Sequence, residues 1–312
     1  MTDVIFLKPV MHEKIWGGDK LKTYFGYAEA SDTVGEDWAI SAHPNGLSVI
    51  ENGEFAGRTL KEVWEQEPAI FGGHKDEPFP LLTKILDAKD DLSVQVHPDD
   101  EYARKHEGPN ELGKTECWYI IDAEPGAHIV YGHNAKTREE LRAMIEADEW
   151  DELLRKVPVK KGDFFYVPSG TIHAICAGIL ILETQQSSDT TYRVYDYHRL
   201  GDDGVERELH VEQSIAVTTV PATTPQNDFK IEDGITTFVS NDFFSVYEWD
   251  IKKSKTIQAI GAYTLATVIS GGGVLIAQGK EYKLKMGASF VIPAGVSEWT
   301  IEGEIRMIAS HV

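Results

Sequence analysis

Cysteine is nearly absent from this chain: Cys117 and Cys176 are the only two among 312 residues. Two thiols make no disulfide framework, and a reducing compartment is the simpler expectation. Cationic residues are also short, with 30 Lys and Arg against 51 Asp and Glu and a formal charge of −21. That balance excludes nucleic acid and anionic membranes as partners, because both demand basic surface. An anionic small molecule stays compatible if the fold gathers its own cations locally. Long apolar runs are missing too. The most apolar stretch, AICAGILIL at 174–182, is far too short to span a bilayer. The opening MTDVIFLKPVMHEKIWGG has no basic n-region, no long apolar segment and no small-residue cleavage site, so the expected location is the cytoplasm.

Long helical patterns are scarce as well. The best is TREELRAMIEADEWDELLRKV at 137–157, with Thr137 as N-cap, Glu140 completing a capping box, and Leu141, Met144, Ile145, Leu153 and Leu154 as an apolar stripe. A shorter one is TLKEVWEQEPAIFG at 59–72. What is abundant is short runs of Val, Ile, Phe, Tyr and Thr between turn residues, such as FFYVP, GILILET, YTLATVIS, GVLIAQG and SFVIPAG. The expected fold class is therefore mainly β, an antiparallel sandwich or closed barrel. The length allows two modest domains or one large one, and the 42% apolar content is compatible with a real core.

An internal repeat favours two modules. GDFFYVPSGTIH (162–173) matches GASFVIPAGVSE (287–298), with Gly162, Pro168 and Gly170 aligned on Gly287, Pro293 and Gly295. The first copy ends in His173 and the second in Glu298, so a metal held by the first would be lost from the second. The Thr- and Pro-rich stretch VTTVPATTPQNDF (217–229) reads as the connector. This divides the chain into 1–220, with a short helical segment near 137–157, and 230–312.

The segment LSVQVHPDD (92–100) poses the functional question. Val94 and Val96 alternate with Ser93, Gln95 and His97, and Pro98 ends strand pairing. That polar face is either solvated or the inside of a barrel. In GKTECWYII (113–121), Lys114, Glu116 and Trp118 share one face, and Cys117 lies on the other. His97, His173 and Glu116, with the Gln95 amide oxygen, form a two-His-one-carboxylate set of the kind that holds Zn²⁺ or Fe²⁺ with open positions. Lys84, amid the apolar residues of LLTKIL, is an unusual inward lysine.

GDFFYVPSGTIH resembles the second conserved motif of cupins, G-x5-P-x-G-x2-H, although Ala177 stands where an Asn is usual. QVHPDD, GKTE, GTIHAI, SSDTTYR, IWGG (15–18) and GEDWAISAHPNG (35–46), in this order and spacing, resemble the short bacterial form of the type I mannose-6-phosphate isomerases over nearly the whole chain. Longer members insert a large helical domain that has no counterpart here. The resemblance implies two cupin jelly-roll barrels and one Zn²⁺ per chain on Gln95, His97, Glu116 and His173. It implies a sugar phosphate substrate, with mannose 6-phosphate and fructose 6-phosphate exchanged by proton transfer through an enediol(ate). It places Arg193 in the active site, with Lys84, Ser93, Lys114 and Glu183 lining the cavity. In that scheme Arg193 stabilises charge, Glu183 is the candidate base, and Lys84, Ser93 and Lys114 bind substrate. Two rivals stay open: an iron-dependent cupin dioxygenase, and a non-catalytic sugar-binding cupin. The oligomeric state is left open, monomer or small homo-oligomer.

Overall fold

The computed structural model describes residues 3–73, 78–201, 204–224 and 229–312, and the later part of the connector, 225–228, lies outside them. Three antiparallel sheets carry the fold. A six-stranded sheet runs in the order Met11–Gly18, Val34–Ile40, Leu81–Ala88, Ile179–Gln186, Glu116–Ala123 and Phe164–Val167. A five-stranded sheet runs Tyr192–Tyr195, Val94–Val96, His173–Ile175, His128–His133 and Leu154–Pro158. These two share one apolar cluster, with Leu86, Trp118, Ile120 and Ile181 from the first sheet against Ile129, Tyr131 and Ile175 from the second. Interleaved side chains from two inner faces are what hold a β-sandwich or jelly roll together.

The remaining sheet has nine strands and is built mostly from the C-terminal part. It packs on the outer face of the six-stranded sheet, where Ile85, Cys117, Tyr119 and Leu182 meet Phe238, Phe244, Val246 and Ile308. This explains why Leu81–Ala88 and Ile179–Gln186 are buried along their whole length. Strands covered on both faces lose the alternation of a half-exposed strand. A polar residue in such a strand, Lys84 or Glu183, must point into a site or be paired.

Three local differences from the sequence pattern have physical causes. The 137–157 stretch is two helices, Arg138–Glu146 and Trp150–Leu153, followed by the strand Leu154–Pro158. Asp148, at φ 60°, turns the chain out of the helix. Thr137 does cap the first helix, but the Glu140 carboxylate accepts from the amide of Lys136, at 2.5 Å, and not from that of Thr137. The full capping box occurs at Thr59 and Glu62, ahead of Leu60–Gln66. Finally, Ile5–Leu7 pairs with Ser289–Ile292, so the start of the chain is woven into the nine-stranded sheet. Among the described residues, no helix is long and apolar enough to cross a membrane.

The repeated glycines are structural in both copies. Gly162 and Gly287 have φ of 88° and 83°, a region that glycine enters without steric cost. A Cβ on Gly287 would also meet the Tyr27 ring at 2.7 Å, and the Tyr27 hydroxyl donates to Gly287 O at 2.7 Å. Asp37 is buried beside this junction with its Oδ1 accepting from Val10 N at 3.0 Å and its Oδ2 unpartnered. Burial pushes its carboxyl from 3.8 up to about 7, against the lowering effect of the Val10 amide. The folded state therefore holds this proton more tightly than the unfolded chain does. Stability from this group is full below about pH 4 and is lost as pH rises to about 7, a change on the order of 4 kcal/mol. Asp37→Asn is expected to flatten the fall in melting temperature between pH 5 and pH 8. An equal fall in both proteins would show that Asp37 is ionised at no cost.

Candidate active site

Between the two facing sheets, the nitrogens of His97 and His173 and the Glu116 carboxylate lie within 4.8 Å of one another. Each side chain is held by its own element. His97 follows the strand Val94–Val96, and its carbonyl accepts from Gly170 N at 2.9 Å in the turn that leads to His173. His173 opens its strand, and Glu116 opens the facing one. All three are 1% exposed.

The hydrogen bonds assign the tautomers. His97 Nδ1 donates to Thr190 O at 2.9 Å and His173 Nδ1 donates to Thr171 O at 2.8 Å. Each neutral ring then turns a lone pair on Nε2 inward. Burial, with the Lys114 ammonium adding to it, lowers His97 to about 3, and burial lowers His173 as well. Neither ring is a cation at neutral pH. Burial raises Glu116, but the Lys114 ammonium together with the two imidazoles drives it well below the usual carboxylate range. So the approaches of 3.5 Å and 3.3 Å from the two Nε2 atoms to Glu116 are acceptor against acceptor, not ion pairs. Both Nε2 atoms and both Glu116 oxygens are buried without a hydrogen-bond partner. Buried lone pairs that converge in this way fit a bound cation.

Gln95 shares this face. It stands directly opposite His173 on one side and opposite Arg193 on the other. Ser93 is buried just ahead of the same strand. Arg193 thus belongs to the wall, yet among the described residues it makes no ion pair. Its NH1 donates to Glu208 O at 2.8 Å and its Nε is buried without a partner. Neither aspartate beside it in sequence takes it: Asp189 accepts from Asn45 at 3.0 Å, and Asp196 pairs with Arg199 and Arg207.

The six-stranded sheet contributes a row of side chains. Register sets Trp38 against Lys84, Lys84 against Glu183 and Glu183 against Trp118. Lys114 Nζ lies 3.2 Å from Glu116 and 3.9 Å from Glu183. The two neighbouring carboxylates outweigh burial and raise the Lys114 ammonium, so it stays charged. Glu183 moves the other way. Burial and the Glu116 carboxylate push it up to about 7, against Lys114 and Lys84.

Sequence reasoning did not single out Glu36 or Trp38. Trp38 Nε1 donates to Glu36 Oε2 at 2.7 Å, and Lys84 Nζ lies 3.9 Å from that oxygen and 4.8 Å over the Trp38 ring. Lys14 adds a third contact at 3.3 Å. Burial raises Glu36, but the two lysines and the indole N–H prevail and hold it at about 2. The signal was present in GEDWAI, where Glu36 and Trp38 share the face opposite Asp37. Trp16 lies in the apolar cluster between the sheets. Outside the row, His43 packs 5.6 Å from Trp38 and lines a cavity of about 740 Å³ with Lys61, Trp64, Phe79 and Glu111.

Family models match two parts of the chain: "Phosphomannose isomerase type I, catalytic domain" over residues 4–119, and "Mannose-6-phosphate isomerase, cupin domain" over residues 234–312. The mannose-6-phosphate isomerase of Streptococcus mutans is 53% identical over 314 residues, covering 100% of this chain and 99% of the relative. The ManA protein of Bacillus subtilis is 52% identical with coverage of 100% and 99%. The chain belongs to the type I mannose-6-phosphate isomerases. The crystal structure of a mannose 6-phosphate isomerase from Bacillus subtilis superimposes with a TM-score of 0.96 at 48% identity, with 100% of both chains covered. A putative mannosephosphate isomerase from Archaeoglobus fulgidus shares the fold at a TM-score of 0.75 and 19% identity. The mainly β fold expected from the strand runs, and the cupin architecture that the resemblance implies, are the architecture observed.

Proposed function

We propose that this enzyme interconverts mannose 6-phosphate and fructose 6-phosphate by proton transfer between C2 and C1, with one Zn²⁺ per chain. The observation that carries the reading is the set of converging acceptors on His97, Glu116 and His173, in which both Nε2 lone pairs lack a hydrogen bond and Glu116 is paired with Lys114. These donors, with Gln95 at the adjoining register position, would hold the ion, which when bound supplies a Lewis acid beside the sugar oxygens.

The other steps belong to the chain. Glu183 takes the proton from C2 and returns it at C1. A carboxyl lifted to about 7 suits that exchange near neutral pH, because a general base works best with a pKa near the operating pH. The Arg193 guanidinium faces negative charge on the enediolate oxygens. Lys84, Lys114 and Ser93 bind substrate, and the two ammoniums supply the local positive charge that a protein of net −21 must gather for a phosphate. We further propose that residues 1–220 hold the chemistry and that 230–312 brace the sheet behind it. Glu298, where the second repeat replaces the histidine, is exposed and hydrogen-bonded to Gln258.

Mannose 6-phosphate deuterated at C2 tests the route. Proton transfer through Glu183 is expected to give a primary isotope effect and to release part of the label to solvent. Full retention of deuterium at C1 together with an undiminished kcat in Glu183→Gln would mean direct hydride transfer and would overturn the assignment of Glu183.

A further inference from the structure

Arg193 needs an external hold. Its own strand fixes only its backbone, and among the described residues its guanidinium makes no ion pair. What holds it is the returning segment of the loop that follows. After Asp196 the chain turns through Tyr197 and His198, both left-handed at φ 57° and 53°. It then comes back alongside the strand it left. On its return, His210 N donates to Arg193 O at 2.8 Å, Arg193 N donates to His210 Nδ1 at 3.2 Å, and Glu208 O accepts from the Arg193 guanidinium at 2.8 Å.

Asp196 ties the two arms of this loop together. Its carboxylate is 4% exposed. It accepts from Arg207 twice, at 2.7 Å to Oδ2 and 2.6 Å to Oδ1, and from Arg199 at 2.6 Å. Arg199 in turn donates to Asp91 O at 2.6 Å, and the Asp91 carboxylate accepts from Ala177 N at 2.7 Å, which fastens the outgoing arm to the loop ahead of Val94–Val96 and the turn after His173–Ile175. A two-pronged guanidinium–carboxylate pair fixes direction as well as distance. Arg207 is the residue just before the one whose carbonyl holds Arg193.

We infer that Asp196 is a positioning residue for Arg193, acting through Arg207 and the Glu208 carbonyl. The inference rests on the reading that Arg193 acts in the isomerisation. It accounts for both arginines that surround Asp196, and for a guanidinium aimed by a main-chain oxygen, which cannot neutralise it.

The test is a double-mutant cycle in the full-length, metal-loaded enzyme. Asp196→Asn keeps the shape and removes the charge that gathers both arginines. It is expected to lower kcat for mannose 6-phosphate about 10- to 100-fold, the cost of a small misplacement, with KM within about threefold and metal content unchanged. In an Arg193→Lys background, the same substitution is expected to cost less than about twofold, because the group it positions is already gone. Equal losses in both backgrounds would overturn the inference, as would an unchanged kcat in Asp196→Asn. If Arg193→Lys itself leaves kcat unchanged, the role of Arg193 fails, a result separable from the others. Should Asp196→Asn not fold, Arg207→Lys carries the same cycle, since lysine keeps the charge and loses the fork.

Discussion

Replacing His97 or His173 by alanine is expected to abolish turnover and strip the metal together. Each imidazole contributes one of the inward lone pairs, and each is fixed by a main-chain carbonyl on its other nitrogen. Loss of an outer partner at a metal site typically costs about 10- to 100-fold in affinity, and loss of a ligand should exceed that. Metal analysis after dialysis, beside the assay, checks it. Glu298→Ala is the matched control: Glu298 is exposed, so metal content and activity should both stay. Retention of a full metal complement by His97→Ala would break the assignment of the site.

Glu183→Gln should lower kcat by about 10²- to 10⁴-fold, the usual contribution of a positioned base, and leave the metal in place. Glutamine preserves the shape in a strand buried on both faces, so the loss should be chemical and not structural. The second half of that statement matters, because Glu183 lies near Glu116 through their common neighbour Lys114. Steady-state kinetics with a metal count separate the cases. A kcat within about threefold of the parent would remove Glu183 from the chemistry. Loss of metal with activity would make it part of the metal's support.

What was legible in the sequence follows a simple division. Alternation within one strand shows which side chains share a face, and this identified Ser93, Gln95 and His97, as well as Lys114 and Glu116. The Gly–Pro–Gly repeat was legible because turns need those residues for backbone reasons, as the positive φ of Gly162 and Gly287 shows. The rest depends on partners far along the chain. The value of Glu36 comes from Lys84 across the sheet and from Lys14 on an adjacent strand. The hold on Arg193 comes from a carbonyl, which no side-chain pattern reveals. The pairing of Ile5–Leu7 with Ser289–Ile292 joins the two ends of the chain, and no local pattern encodes it. The 137–157 stretch misled because leucines at 153 and 154 fit a helical stripe and a strand start equally well: Leu153 ends a helix and Leu154 opens a strand.

The measurement that bears most directly on the whole account is a coupled assay of fructose 6-phosphate formation from mannose 6-phosphate. It should be run on the purified enzyme as isolated, after chelation, and after Zn²⁺ is returned. Activity that disappears on chelation and comes back with Zn²⁺ is the expected result. Activity that survives complete removal of metal would contradict it, since the converging acceptors of His97, Glu116 and His173 would then have no part in the reaction.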